Sequence, residues 1–316
     1  MSLYLKPASK AATPTEPVLS RLHGHPIPRL NAMMACDTAF RVVARRYLGD
    51  LTANQEATCK GDPVALHQMR IALTRLRTAI TFFSPMVADI KRTGIRDELK
   101  WLNSHLGVVR DLDVAIERLK ALNKQQPRAI PYFRSWSKKR AASHRLLARA
   151  LRSARYQHLV ENTSDWIGNG PWSTGKAKQA TKQRASPIAE FSAGKLAQWQ
   201  QKLLKRSRKL LKMGKEKRHR LRLLNKKLSY SIEALEDLFS DKRFSRQKAG
   251  LKHLRKAQRS LGQLNDDANG HALAAALQRE GVSAPLQFLS PNREKRLLRT
   301  AAAAYRKLEA LEPFRI

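Results

Sequence analysis

The chain has 316 residues, and its 62 lysines and arginines against 25 acidic residues give a formal net charge of +37. Hydrophobic residues make up 42% of the sequence, which excludes a wholly disordered polycation and predicts a folded protein. So large a charge opposes folding by self-repulsion unless an anion neutralises it. We therefore expect a polyanionic partner such as nucleic acid, an anionic membrane surface or a polyphosphate.

The two cysteines, Cys36 and Cys59, match neither the spacing of a metal site nor a disulfide framework. This usage favours a reducing cytoplasm. No apolar run is long enough to cross a bilayer, so we expect no membrane insertion, and no motif indicates a cofactor. Prolines among polar residues predict that residues 1–28 form a flexible leader.

From residue 29 onwards the hydrophobic pattern is helical, and no segment alternates as a β-strand does. Three helix starts are marked by a capping side chain followed by proline: Asp62-Pro63, Ser186-Pro187 and Ser290-Pro291. Residues 168–186 are rich in glycine, small polar residues and lysine, which predicts a basic linker. The linker would separate a first helical bundle at 29–167 from a second at 187–316.

The two halves of the chain resemble each other. The sequence HQMR at 67–70 has a counterpart, HRLR, at 219–222. Further along, LGVVRDLDV at 106–114 matches LGQLNDDAN at 261–269. The two motifs recur in the same order at offsets of 152 and 155 residues, which predicts an internal duplication.

The duplication predicts an all-α fold of two bundles of about four helices each, with additional helices at 128–167 and 291–310. The dibasic pairs Arg45-Arg46 and Lys205-Arg206, each on the preceding helix, are a third candidate match. Duplicated halves often pack about a pseudo-twofold axis. Such packing would bring the two histidine-bearing helices into related positions.

The helix predicted from Asp62 to Phe83 has an apolar stripe on one face and positive charges on the other. At about 100° per residue, His67, Arg70 and Arg77 lie within about 80° of one another, and Arg75 lies on the flank. In the second half, His219, Arg222 and Lys226 lie opposite the apolar stripe in the same way.

Such a face has two interpretations, a solvated surface or an anion-binding site. A solvated face usually mixes charges, with glutamate and lysine one turn apart. No acid occurs between Asp62 and Asp89, and Glu216 is the only acid between Lys202 and Leu228. Like charges one turn apart destabilise a helix, so their recurrence in both halves favours an anion-binding face.

The motifs HQMRIALTRLRTAITFF, LGVVRDLDV, HRLRLLNKKLSYSIEALEDLF and LGQLNDDAN together resemble the CHAD family, the conserved histidine α-helical domain. The resemblance covers about residues 30–312. It implies two four-helix bundles related by a pseudo-twofold axis, with a basic channel between them. It also implies binding of long-chain inorganic polyphosphate and a place at cytoplasmic polyphosphate granules, among the proteins of those granules.

The resemblance carries over to the cations of the two histidine helices, and the dibasic pairs would widen the path. The expected polyphosphate-binding residues are Arg45, Arg46, His67, Arg70, Arg75, Arg77, Lys205, Arg206, His219, Arg222, Lys226 and Lys227. Two positions depart from the symmetric pattern. Ser229 stands where the family usually has arginine, and Asn265 stands where Arg110 stands in the first half. The second half is therefore expected to bind less tightly.

The acids after each Leu-Gly pair have two possible roles: Asp111, Asp113, Asp266 and Asp267. They can pair with nearby arginines, which we favour, or hold a divalent metal that bridges to phosphate. We expect no catalytic and no metal site, because the sequence has neither a phosphate-binding GxxxxGK[ST] loop nor alternating glutamates.

Nucleic acid is the alternative partner. Aromatic residues are only 6% of the chain, and few lie within the basic faces, Tyr230 being the main exception. Proteins that bind single strands usually interleave stacking rings with cations, so the composition favours a bare phosphate chain. Non-specific binding of a duplex and, less favoured, a polyphosphate-processing enzyme stay open.

Overall fold

In the computed structural model of the protein, residues 28–125, 130–239, 241–279 and 291–314 are described, and within these ranges the fold is all-α. The predicted leader lies outside them except for its last residue. The helices are α1 (Cys36–Ala53), α2 (Gln55–Cys59), α3 (Pro63–Phe82), α4 (Lys91–Gln125), α5 (Ile130–Leu151), α6 (Ala154–Asn169), α7 (Lys178–Ala185), α8 (Ile188–Ser207), α9 (Lys215–Ala234), α10 (Asp241–Arg279) and α11 (Pro291–Glu309).

The helices pack in two groups that meet at a few contacts. Helices α1 to α6 pack among themselves, as do α8 to α11. The groups meet where α3 packs on α9, α4 on α10 and α1 on α8. One continuous apolar cluster runs through both groups. The twofold relation between the groups and the bundle boundaries stay predictions. Among the described helices, none is long and apolar enough to span a bilayer.

The predicted apolar stripe fixes α3 in the core. Met69, Leu73, Leu76 and Ile80 are all buried, at the spacing that places them on one face. This leaves the opposite face, with its cations, towards α4 and α9. The packing of the stripe therefore orients the charged face.

The three predicted helix starts have different outcomes. Asp62 caps α3 as expected, because its carboxylate accepts the backbone N–H of Val64 at 2.7 Å. The predicted Ser186 cap is wrong: α8 begins at Ile188, and the Ser186 hydroxyl donates to the carbonyl of Gln183 at the end of α7. The backbone carbonyl of Ser186 instead accepts a hydrogen bond from the start of α1. Ser290 lies outside the described residues, although α11 does begin at proline.

We expect Asp62→Ala to lower the free energy of unfolding by about 1 kcal/mol, because an N-cap side chain is lost. Chemical denaturation of the variant and the wild type measures this difference. Asp97→Ala is the matched control, since Asp97 is an exposed acid within α4. Equal stability of the Asp62→Ala variant and the control would contradict the cap.

The predicted linker at 168–186 is folded against the first group of helices. It contains α7, which contacts α1, and a short turn at Pro171–Ser173. Trp172 is 1% exposed, and its indole N–H donates to the Trp166 carbonyl at 2.7 Å. The segment connects the two groups, but it is anchored by a buried tryptophan rather than free.

Candidate anion-binding site

Positive side chains from both groups of helices meet where α3 packs against α9. Burial lowers the pKa of Lys226 to about 8, and the charges of Arg222 and Arg70 add to the shift. Burial and three positive neighbours also lower the pKa of His67, namely Arg110, Arg70 and Lys226. These mutual effects place the side chains within electrostatic reach of one another. We call the set the central cluster: His67, Arg70, Arg110, Arg222 and Lys226.

The long helix α4 holds Arg70 in the central cluster. Arg70 Nη1 donates to the backbone carbonyls of Leu106 and Gly107, at 3.4 Å and 3.3 Å. The same nitrogen lies 4.0 Å from a carboxylate oxygen of Asp111. A guanidinium has more donors than these contacts use, so Arg70 keeps donors for a ligand.

No acid is bonded to Arg222 or Lys226 within the described part of the chain. Arg222 donates no hydrogen bond there, and its Nε is buried without a partner. Lys226 likewise has neither a hydrogen bond nor an ion pair, and the acid whose charge acts on its pKa is Asp266. A buried donor without a partner costs about 1–3 kcal/mol. An anion that supplies the missing contacts would remove this cost.

The two histidines differ in their surroundings. The Nδ1 atom of His219 lies 3.2 Å from Oδ1 of Asn265, so the protonated nitrogen donates to the amide oxygen. The pKa of His67 is lowered from 6.5, first by burial and then by Arg110, which leaves this ring neutral near pH 7 in the free protein. A bound polyanion favours the protonated ring, which donates from both nitrogens.

Buried aspartates tether outer helices to the long helices in both halves. Asp113 on α4 is 2% exposed and accepts hydrogen bonds from Arg140 Nε at 2.6 Å and His144 Nε2 at 3.1 Å. Asp267 on α10 accepts from Arg293 Nε at 3.3 Å. Burial acts to raise the pKa of Asp113, but the hydrogen bonds from His144 and Arg140 outweigh it and lower the pKa. Pairing with arginine is therefore confirmed for both aspartates.

The other two aspartates lie close to the central cluster. Burial raises the pKa of Asp111, Arg70 opposes the shift, and the neighbouring carboxylate of Asp266 adds to it. The Asn269 amide donates to Asp111 at 3.4 Å. Within the described residues, no group of three or more His, Cys, Asp or Glu side chains could hold a metal ion.

Arg75 was expected to line the anion path, but the structure pairs it within the protein. Its Nη2 donates to Glu233 at 2.9 Å. Its guanidinium also lies over the rings of Tyr47 and Tyr230, at 5.9 Å and 5.5 Å from their centres. Glu233 lies 158 residues away in the chain, so the sequence around Arg75 gave no sign of this partner.

The dibasic pairs do not join the central cluster. Arg45 lies beside Gly168, where an added Cβ would meet its guanidinium at 3.4 Å. Arg46 lies 3.8 Å from the carboxylate of Asp237. Lys205 and Arg206 are exposed on α8, and Arg206 lines a separate cavity of about 340 Å³. The expectation that these pairs widen the path stays a prediction.

Arg77 and Lys227 meet at a second position, together with two cations that the sequence analysis missed. Arg96 on α4 and Lys202 on α8 both act on the pKa of Lys227. We call these four residues the flank cluster: Arg77, Arg96, Lys202 and Lys227. Arg110 in the central cluster was also missed as a site residue, although it lies within the LGVVRDLDV motif.

Comparisons with known proteins agree with this architecture. The chain is similar to the crystal structure of the CHAD domain from the plant Ricinus communis, with 24% identity and a TM-score of 0.75 over 91% of this chain and 96% of that chain. It is also similar to PptA from Streptomyces chartreusis, with 17% identity and a TM-score of 0.57 over 88% of this chain and 96% of that chain. These likenesses support the all-α fold.

No curated protein sequence matches the chain significantly. The family model of the CHAD domain, however, matches residues 42–275. This range contains the four sequence motifs, the central cluster and the flank cluster. Because the match covers well over half of the chain, the protein belongs to the CHAD family.

Proposed function

We propose that this protein binds long-chain inorganic polyphosphate through the central cluster, without catalysing a reaction on it. The observation that carries the proposal is that Arg222 and Lys226 lie beside Arg70 from the other half of the chain and have no bonded acid among the described residues. Arginine grips two phosphate oxygens with its planar fork, and lysine adds a point charge. A flexible chain of phosphates can supply both contacts at once.

The surroundings of the cluster favour a bare phosphate chain over single-stranded nucleic acid. Its members are four cations and one histidine, so they offer no stacking platform for bases. Tyr230, the aromatic residue expected near the site, is buried and lies against Arg75 instead. The histidine motifs and their matching cations are also those of the CHAD family, and the resemblance to that family implies polyphosphate as the ligand.

Binding would proceed by charge neutralisation. Phosphates that contact the cluster release their condensed cations, so the affinity should fall steeply with salt concentration. A long chain also makes several contacts at once, so the affinity should rise with chain length. In a cell that stores polyphosphate in cytoplasmic granules, these properties would place the protein at the granules.

A competition between anions tests this function. The affinities for long-chain polyphosphate, tripolyphosphate and a DNA duplex of equal phosphate number are measured at the same ionic strength. We expect polyphosphate to bind more tightly than the duplex by at least about tenfold. Equal affinity for the duplex would mean that the protein binds any polyanion through its net charge and has no preference for polyphosphate. Release of free phosphate from polyphosphate would instead support an enzyme.

We expect the affinity for polyphosphate to fall as the pH rises through about 8. In the free protein the pKa of Lys226 is about 8, so its charge is lost above that pH. A bound anion raises this pKa, and binding above pH 8 therefore requires uptake of a proton. Titrations at constant ionic strength between about pH 7 and pH 9 measure the effect. The Lys226→Gln variant should bind weakly, and its affinity should no longer fall as the pH rises through about 8. If the affinity of the variant still falls in this range, the titrating group is not Lys226.

A further inference from the structure

A cavity of about 420 Å³ lies between α9 and α10, and Arg222 of the central cluster forms part of its wall. Its floor is aliphatic, because Leu261, Leu264 and Ala268 lie three and four residues apart on one face of α10. Both leucines are buried. Binding pockets for small organic molecules have this size and combine an apolar surface with a few polar groups. A phosphate chain has no apolar surface, so polyphosphate binding does not explain this cavity.

The space for the cavity follows from a difference between the two halves of the sequence. Aligning LGQLNDDAN with LGVVRDLDV places Asn265 opposite Arg110 and Ala268 opposite Asp113. Two charged side chains of the first half are thus replaced by a shorter amide and a methyl group. Both replacements line the cavity, so the smaller side chains leave room between α9 and α10.

Polar side chains of both signs surround the aliphatic floor. Arg222 donates no hydrogen bond within the described residues, so its guanidinium is available to an anionic group of a ligand. Glu294 is paired with Arg218 at 2.5 Å, which neutralises its charge within the protein. Glu216 forms no ion pair in the described part of the chain, and its carboxylate can accept hydrogen bonds from a ligand.

The separation of these groups limits the kind of ligand. Glu216 and Arg222 are six residues apart on α9, which is about 9 Å along the helix axis. A ligand that contacts both therefore has an anionic group at one end and hydrogen-bond donors at the other, with an apolar body that packs on the floor. A nucleotide has this arrangement, because its phosphates are followed by a flat base with N–H donors. A bare phosphate chain does not, and the carboxylate of Glu216 repels it.

We propose that this cavity binds the base and sugar of a nucleotide whose phosphates contact Arg222. The base packs on the aliphatic floor, and its N–H groups donate to Glu216. This inference rests on the proposed function, because Arg222 would contact either ligand. A nucleotide and a long polyphosphate chain therefore exclude each other at Arg222, and free nucleotide weakens the binding of polyphosphate.

A comparison of ATP with tripolyphosphate tests the cavity, because both compounds carry three phosphates. Their affinities are measured at one ionic strength without divalent cations. We expect ATP to bind at least about tenfold more tightly, because burial of the base adds apolar contact. ATP has the smaller negative charge, since one end of its phosphate chain is esterified. Binding by charge alone would therefore favour tripolyphosphate, and that result would overturn the inference.

Ala268→Phe fills the cavity without removing a charge. The affinity of this variant for ATP should fall to that for tripolyphosphate. Its affinities for tripolyphosphate and long-chain polyphosphate should change by less than about twofold, which also shows that the variant is folded. The matched control is Ala141→Phe, at an exposed position on α5, which should leave all three affinities unchanged.

Glu216→Gln is a second variant, and it needs no additional space. It should weaken the binding of ATP by about fivefold, because a charged hydrogen-bond acceptor is lost. The binding of tripolyphosphate should not weaken, because the variant removes a negative charge. An equal loss for both ligands would contradict a contact between Glu216 and the base.

Photolabelling with 8-azido-ATP locates the base directly. After irradiation, the labelled peptides are identified by mass spectrometry. We expect the label within residues 261–271 of α10, and we expect long-chain polyphosphate to prevent the labelling. A label that lies outside the residues lining the cavity would refute the inference.

The outcomes separate this inference from the proposed function. If ATP binds no more tightly than tripolyphosphate while long-chain polyphosphate still binds, the inference is refuted and the proposed function stands. If long-chain polyphosphate does not bind, the proposed function fails. Tighter binding of ATP that is lost in Ala268→Phe, together with displacement of ATP by long-chain polyphosphate, supports both.

Discussion

Replacing Lys226 with methionine should stabilise the free protein and weaken its binding of polyphosphate. In the folded state the pKa of Lys226 falls from 10.5 to about 8, because the ammonium is buried and lies beside Arg222 and Arg70. The charged form is thus disfavoured by folding, by up to about 3 kcal/mol. Methionine keeps the apolar stem of the side chain and removes the charge.

The sign of this effect follows from the direction of the shift. A lysine whose folded pKa lies below its unfolded value destabilises the fold at every pH below the folded pKa. The penalty is relieved as the pH rises from about 8 towards 10.5. Lys226→Met should therefore raise the free energy of unfolding most clearly near pH 7, and the gain should shrink at alkaline pH.

Denaturation and binding titrations on the same samples measure both changes. The affinity for polyphosphate should fall by at least about tenfold, and the slope of log affinity against log salt should decrease by about one. Lys307→Met, at an exposed position, is the control and should change neither property much. A variant that binds as tightly as the wild type would remove Lys226 from the site.

Replacing Asp113 with alanine should give the largest loss of stability among the acids. Asp113 is 2% exposed and accepts hydrogen bonds from Arg140 and His144. Its removal leaves these donors without their buried acceptor, which we expect to cost about 3 kcal/mol. The link between α4 and α5 is lost with it.

The pH dependence of stability identifies the cause of this loss. The pKa of Asp113 is lowered in the folded state, because its hydrogen bonds with His144 and Arg140 outweigh the effect of burial. The stability it contributes is present above its unfolded pKa of about 3.9 and is lost as the pH falls through the folded value. Denaturation of Asp113→Ala at neutral and acidic pH measures this, with Asp97→Ala as control. A loss that is the same at both pH values would point to packing instead.

The helices and the cation-bearing face of α3 were predictable because they depend on local sequence. The apolar stripe of α3 and the cap at Asp62 are local signals, and the structure confirms both. The burial of Trp172 in the connecting segment could not be predicted, because the composition around this residue is that of a loop. Its burial depends on contacts with Trp166 and α1 that composition does not reveal.

The candidate binding residues divide in the same way. His67, Arg70, Arg222 and Lys226 were found because each histidine motif keeps its cations one turn apart on one face. The positions of Arg75 and Arg46 could not be foreseen, since their partners, Glu233 and Asp237, are distant in the chain. The same holds for Arg96 and Lys202, which reach Lys227 only because four helices meet there.

The most direct test of polyphosphate binding by the central cluster compares two double variants of equal charge. Arg222→Gln/Lys226→Gln removes the pair that has no bonded acid, and Arg306→Gln/Lys307→Gln removes an arginine and a lysine from the exposed surface of α11. Titration with long-chain polyphosphate at one ionic strength should show a loss of affinity of at least about tenfold in the first variant and little change in the second. Equal losses in two folded variants would mean that net charge alone binds the polyphosphate chain. This result would contradict a specific binding site at the central cluster.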